Sequence, residues 1–357
     1  MLTLAFARQR TSEGLREAAA GNSPRRLDRP AVGSLQDFLD NHYAPWARAH
    51  RRTAEGTLGI LQSQFKDYMP RPLADLSVGQ LEEYRTRALK RGKSSGAPLS
   101  PKSVNNYCQI LKSVLSKAVE WDMLERNPLA KLKPLKRDRR GVVRFLSPDE
   151  EKSLRAALVE RDNELRGARD RFNGWRQVRH LDPLPEIPAN GFGDHLAPMA
   201  LTALNTGLRY GELASLAWRS VNFRGKTITV EAAHAKSGQT RHVPLNAECA
   251  DILQRWRRQS GEFGLVFKGA AGARIGSVRK AWRNVLAKAK IEAFRWHDLR
   301  HTFASKLAMA GVDLNTIREL LGHGDLEMTL RYAHLAPDHK AAAVEKLSSL
   351  PGSSGAT

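Results

Sequence analysis

FRWHDLRHTFAS at Phe294–Ser305 and NTIRELLGHGDLEMTLRYAH at Asn315–His334 are the stretches around which the rest of the chain is organised. In the first, His297 and Arg300 are three residues apart and share a face if the segment is helical, with His301 nearly aligned. In the second, His323 follows Gly322 just past an expected helix C-terminus, and Tyr332 comes nine residues later. Phosphate ligands, a proton-transfer group and a candidate nucleophile are thus gathered on two or three short helices.

Working outward, 357 residues leave room for two domains of ordinary size, each with its own core. A hydrophobic share of 41% beside 27% charged residues reads as soluble and globular. No apolar run approaches the roughly 18 residues of a membrane span, and the N-terminus lacks the order of a secretory signal. Cys108 and Cys249 lie too far apart in sequence to found a disulfide framework or a four-cysteine metal site. A cytoplasmic location is expected. The net charge of +21 would hold a polyphosphate and release its counterions. The basic residues are spread along the whole chain rather than collected in one amphipathic helix, so nucleic acid is a better partner than a membrane surface.

Residues 1–30 have little periodic apolar character and read as a flexible lead. From 31 to 132 the pattern is helical, with Leu35, Phe38 and Leu39 on one face and Leu58, Leu61 and Phe65 on another. Ser77 to Gln80 fits a capping box, and Ser100-Pro101 places a cap before a first-turn proline. A small bundle of about four helices is expected. Residues 133–145 form a basic linker broken by proline. A second domain, 146–347, opens with the capping signature Ser147-Pro148-Asp149-Glu150. From about Arg161 to His195 a charged stretch gives way to one rich in proline and glycine, which predicts a helical extension followed by a long loop. HLAPMALTALNTGLRYGELASLAW reads as two helices broken at Thr206-Gly207, and KTITVEAAHAKSGQTRHVPL as a hairpin turning at Lys-Ser-Gly. A short helix after Tyr332 and a disordered tail at 348–357 complete the expectation. The fold class is mainly α with a small antiparallel β-sheet.

Taken singly, the candidate residues are ordinary. An exposed arginine such as Arg209 is usually a solvated charge, Lys236 could be mere turn decoration, and Tyr332 could be core packing. Together they suit one reaction. A phosphodiester under attack gathers negative charge on its non-bridging oxygens, and the forks of Arg209 and Arg300 match that geometry. Only about one free tyrosine in a thousand is ionised at neutral pH, so Tyr332 needs a neighbouring base such as His297, or the field of the arginines. The departing sugar oxygen needs a proton, which Lys236 on its hairpin could give. Neither a metal nor a nucleotide cofactor is required, because protein cations neutralise the phosphate and one phosphodiester is exchanged for another.

TGLRYGEL at Thr206–Leu213, HDLRHTFAS at His297–Ser305 and LGHGDLEMTLRYAHL at Leu321–Leu335 resemble, in order and spacing, the three signature regions of the tyrosine recombinases, the lambda or phage integrase family. The resemblance implies a helical, SAM-like core-binding domain followed by a mixed α/β catalytic domain, together closing as a C-shaped clamp on duplex DNA. By position it implies that Arg209 and Arg300 clamp the scissile phosphate, and that Lys236 is the general acid. His297 is the histidine of the HxxR pair, and His323 a further phosphate ligand. Tyr332 is the nucleophile, forming a 3′-phosphotyrosine and freeing a 5′-hydroxyl. Glu212 and His301 support these residues from behind. The resemblance further implies a homotetramer on two duplexes, assembled from free monomers or dimers, strand exchange through a Holliday junction, and accessory DNA-bending or directionality proteins.

Three other readings stay open at this point. A type IB topoisomerase would use similar residues without exchanging partners. A metal hydrolase on His297, His301 and His323 would be expected to carry the glutamate of HExxH, which the HDLRH spacing lacks. A decayed integrase would bind DNA without cutting it.

Overall fold

In a computed structural model, the described residues are 33–51, 53–90, 98–136, 143–233, 238–269 and 272–336. They fall into two compact units, one within residues 1–141 and one within 142–357. The lead at 1–30, the hairpin lysine Lys236, the short helix expected beyond Tyr332 and the tail at 348–357 lie outside the described residues.

The first unit is helical. Ser34 caps α1 (Leu35–Phe38), which passes through a π-helical turn into α2 (Ala44–His50). α3 (Ala54–Gln64), α4 (Val78–Lys90) and α5 (Pro101–Glu120) follow. The starts of α4 and α5 are set by the caps legible in the sequence. Ser77 Oγ accepts from Gln80 N–H while the Gln80 side chain accepts from Ser77 N–H, and Ser100 Oγ accepts from Ser103 N–H ahead of Pro101. The apolar faces meet in a core built on Leu35, Phe38, Tyr43, Leu61, Phe65 and Leu111. Residues 133–135, at the start of the basic linker, are pinned to this unit. Arg85 donates to the Lys133 carbonyl, and Asn105 exchanges two hydrogen bonds with the Leu135 backbone.

The second unit opens with α6 (Pro148–Gln177), whose Ser147–Glu150 capping box is complete. Its leading residues are tied down too, since Leu146 N–H donates to Thr302 Oγ1 and Arg144 chelates Glu150. α7 (Leu196–Thr206) is buried on nearly every side, as expected for a helix apolar all round, and α9 (Ala247–Ser260) and α11 (Asp298–Met309) pack against it. Gly207 ends α7 in the left-handed region at φ +64° and turns the chain into α8 (Tyr210–Ala214). A three-stranded antiparallel sheet follows, of β1 (Val221–Asn222), β2 (Thr227–Val230) and β3 (Arg241–Pro244). Its register, Val221 to Ile228 and Ile228 to Val243, points alternate apolar side chains into the core. The sequence pattern shows the hairpin but not β1, because two residues are too few to display a period. α10 (Arg279–Lys288) packs on α6. After α11 come α12 (Leu314–Leu321), α13 (Glu327–Leu330) and a 3₁₀ turn at Ala333–Leu335, with a satellite core of Ala304, Ala308, Ile317, Leu321 and Tyr332. No helix among the described residues is long and apolar enough to cross a membrane.

Candidate active site

Three chain reversals, at Gly207, His297–Arg300 and Gly322, are drawn together by one guanidinium. Arg300, 3% exposed, donates from Nη1 to the Gly207 carbonyl (2.8 Å) and from Nη2 to the Leu321 carbonyl (2.6 Å). Both acceptors are orphan carbonyls at helix C-termini, so the arginine caps α7 and α12 at once. Burial first, then the neighbouring Arg209, works against its charge and brings its pKa down to about 9, which still leaves it a cation at neutral pH.

Arg209, just before α8, is aimed by Glu212. The Glu212 carboxylate accepts the Arg209 backbone N–H at 2.9 Å and its Nη1 at 2.9 Å, while Arg209 Nη2 reaches the Gly322 carbonyl at 3.4 Å. A second arginine, Arg241 at the head of β3, grips the same carboxylate with both Nη groups at 3.1 and 2.7 Å and donates from Nε to the Leu320 carbonyl. Burial would raise the Glu212 pKa, but Arg241 and Arg209 outweigh it and hold the carboxyl below its ordinary range. Gly322 has φ +63°, and a Cβ there would lie 2.9 Å from Arg241 Cδ, so the glycine serves both the turn and the close passage of this arginine. Sequence reading missed Arg241. Its only signal was a basic residue at the start of an alternating strand, whereas its role comes from a contact 29 residues away.

Tyr332 is 1% exposed, and its Oη lies 2.6 Å from His301 Nδ1. Sequence spacing offers His297 as one possible neighbour for the tyrosine; the imidazole within hydrogen-bond reach of it is that of His301. His297 sits at the head of α11 before the helical turns begin, while His301 is one turn in, under the segment that carries Tyr332. Burial raises the Tyr332 pKa, and Arg300 and Arg331 pull against that rise. Burial, then His297, lowers His301 to about 4. Burial, then Arg300 and Arg209, lowers His323 to about 3, and His323 Nδ1 lies 2.9 Å from Thr329 Oγ1. His297 is likewise lowered, by burial and Arg300. All three imidazoles are neutral at physiological pH.

Arg209, His297, Arg300, His301, His323 and Tyr332 line one cavity of about 540 Å³, joined by Arg318 and Arg331. Its rim includes Gln239, two residues before β3, so the approach to that strand reaches the site. Glu212 stands behind the wall rather than on it. The arrangement offers fixed cationic donors, neutral imidazoles and one sheltered hydroxyl, which suits an anionic group attacked by that oxygen. Among the described residues no group of three or more His, Cys, Asp or Glu is placed to hold a metal ion.

The chain is similar to known integrases and recombinases. The integrase of Salmonella phage P22 is 30% identical over 260 residues, which are 70% of this chain. This chain spans only 58% of that integrase's length. The tyrosine recombinase XerC of Xanthomonas campestris is 29% identical over 305 residues, 82% of this chain and 79% of its own. The Tn1549 transposon integrase, solved in complex with a circular intermediate DNA, shares the fold with a TM-score of 0.63 at 20% identity, over 88% of this chain and 99% of that one. The phage integrase SAM-like domain matches residues 34–134 and the phage integrase family residues 190–339, and the chain belongs to the phage integrase family of tyrosine recombinases.

Proposed function

We propose that the protein is a site-specific DNA recombinase that cuts and rejoins DNA through a 3′-phosphotyrosine. The observation that carries this is the convergence of two arginines, three neutral imidazoles and a buried tyrosine on one cavity. Arg209 and Arg300 clamp the non-bridging oxygens of the scissile phosphate. Arg300 uses one N–H of each Nη group on backbone carbonyls, which leaves three of its five donors for substrate. His297 and His323 add neutral donors to the same oxygens. As Tyr332 Oη forms its bond to phosphorus, its proton passes to His301 Nδ1, which is neutral and within hydrogen-bond reach. The P–O5′ bond breaks, and the leaving oxygen takes a proton from Lys236. A 5′-hydroxyl from the partner strand then reverses these steps. One phosphate ester replaces another throughout, so no nucleotide cofactor is consumed, and the fixed cations take the part a metal would otherwise play.

The working unit in this reading is four protomers on two duplexes, exchanging strands pairwise through a Holliday junction. The helical and catalytic units both contact the DNA, and the reaction takes place in the cytoplasm.

The test is a nicked suicide duplex carrying the recombination site, mapped first by footprinting the DNA flanking the element. The parent should form a covalent protein–DNA adduct with full yield in EDTA. Tyr332→Phe should bind the same duplex and form none. Absence of an adduct from the parent on its footprinted site would sink the enzyme reading.

A further inference from the structure

The long stretch from Arg161 to His195, singled out by composition, folds into an arm that the active site does not use. α6 is anchored to the body of its unit as far as Glu164. Arg161 pairs with Asp194, and Lys288 with Glu160 and Glu164. Beyond that point the helix runs on to Gln177, about 20 Å at 1.5 Å per residue. Its packing partner there is its own returning chain. The Asn173 side chain exchanges two 2.8 Å hydrogen bonds with the Leu184 backbone, and Arg166 reaches the Gly191 carbonyl. The outer part of the arm falls between the two family-matched regions, 34–134 and 190–339, and none of its residues lines the active-site cavity.

The outer face of the arm has a specific make-up. Phe172 and Trp175, 43% and 46% exposed, stack nearly parallel, with centroids 5.6 Å apart and planes at 8°. Arg176 lies over the Phe172 ring at 5.7 Å and Arg179 over the Trp175 ring at 4.1 Å. Arg169, Phe172, Trp175 and Arg176 fall on one stripe of the helix, and Arg179 follows just past its end. Each of these arginines is held by a neutral acceptor, namely the carbonyls of Pro185, Asp182 and Trp175 respectively. Nearer the body the arrangement is the opposite, since Arg155 and Arg161 are neutralised by carboxylates. Among the described residues, none of the three outer arginines pairs with a carboxylate. Carbonyls fix all three guanidiniums in direction, and rings also hold those of Arg176 and Arg179, yet each keeps several free donors. Ordering these long side chains before a ligand arrives lowers the entropy lost on binding, and forks of this kind match phosphate.

We propose that this arm is a second DNA-binding element, in which Arg169, Arg176 and Arg179 grip the phosphate backbone of duplex away from the scissile phosphate. Charge decides the occupant. A polyanion gains from each of these three arginines, none of which is paired with a carboxylate among the described residues, whereas a second copy of a chain carrying +21 offers them no comparable concentration of negative charge. The inference rests on the reading that the protein binds DNA, and the experiment separates the two.

Binding to a long, labelled, random-sequence duplex is followed by fluorescence anisotropy at a series of salt concentrations, for the parent and for R169Q/R176Q/R179Q. Circular dichroism melting checks that the variant folds. Three lost phosphate contacts should make the slope of log K against log salt shallower by about 2.7. F172A/W175A, which keeps the charges but releases the guanidiniums, should bind several-fold more weakly with the slope unchanged. A triple variant with the parent's slope and affinity overturns the proposal, as does one that loses only self-association, since the arm would then be a protein surface. A parent that binds no DNA overturns the functional reading together with the arm.

Discussion

At Glu212 one buried carboxylate accepts three guanidinium hydrogen bonds and a backbone N–H. Removing its charge leaves Arg209 and Arg241 facing each other without a counter-ion. Glu212→Gln should therefore lose about 3 kcal/mol of stability, read as a lowered melting temperature, because breaking a buried pair on one side costs far more than the pair contributes. An unchanged melting temperature would mean that water, not Glu212, screens the two arginines. The imidazoles set the pH dependence. His301 and His323 titrate near 4 and 3 when folded, against about 6.5 when unfolded, so between these limits the unfolded chain binds more protons. Their contribution to stability is complete above about pH 6.5 and declines as the pH falls toward 4 and then 3. The rate of adduct formation should stay level through pH 6, since His301 is already neutral there. A fall centred on 6.5 in single-turnover assays would refute a depressed His301. The sequence brought His297, Arg300, His301, His323 and Tyr332 to notice through their spacing. It did not say which histidine meets the tyrosine, because that depends on how the Tyr332 segment docks on α11. Nor did it show Arg241, whose significance is a tertiary contact.

Elements whose causes are local were legible. The caps at Ser77, Ser100 and Ser147 are written in neighbouring residues and form as the pattern predicts. Strand β1 was not, for it exists only by pairing with β2. The α7–α8 junction lies between these cases, since Gly207 marks the break but not the reason that only glycine serves. At φ +64° a side chain is strained, and a Cβ would stand 2.5 Å from Phe303 Cδ1. Gly207→Ala should cost about 2 kcal/mol or more and slow adduct formation, because the carbonyl that orients Arg300 moves with the turn. Gly207→Asn separates the two causes, as asparagine tolerates the left-handed region but still meets the ring. If Gly207→Asn is as stable as the parent, contact with Phe303 is not the constraint.

Across the whole molecule, the charge of +21 makes affinity for DNA a steep function of ionic strength. With six or more phosphates contacted, binding should weaken about 10³-fold or more between about 50 and 200 mM salt. A shallow dependence, measured on plain duplex, would assign the charge to another purpose. Each unit has its own periodic apolar faces and core, whereas the arm on α6 was legible only as odd composition. The stitching of Gly207 and Leu321 by Arg300 bears on the newly made chain as well as the mature one. The segments it joins are far apart in sequence, so the bridge exists only once the chain between them has folded. A half-folded copy therefore carries a tyrosine with no ordered clamp beside it. In the proposed reaction only a chain that has completed its fold breaks DNA, so the safeguard on the scissors is the fold itself.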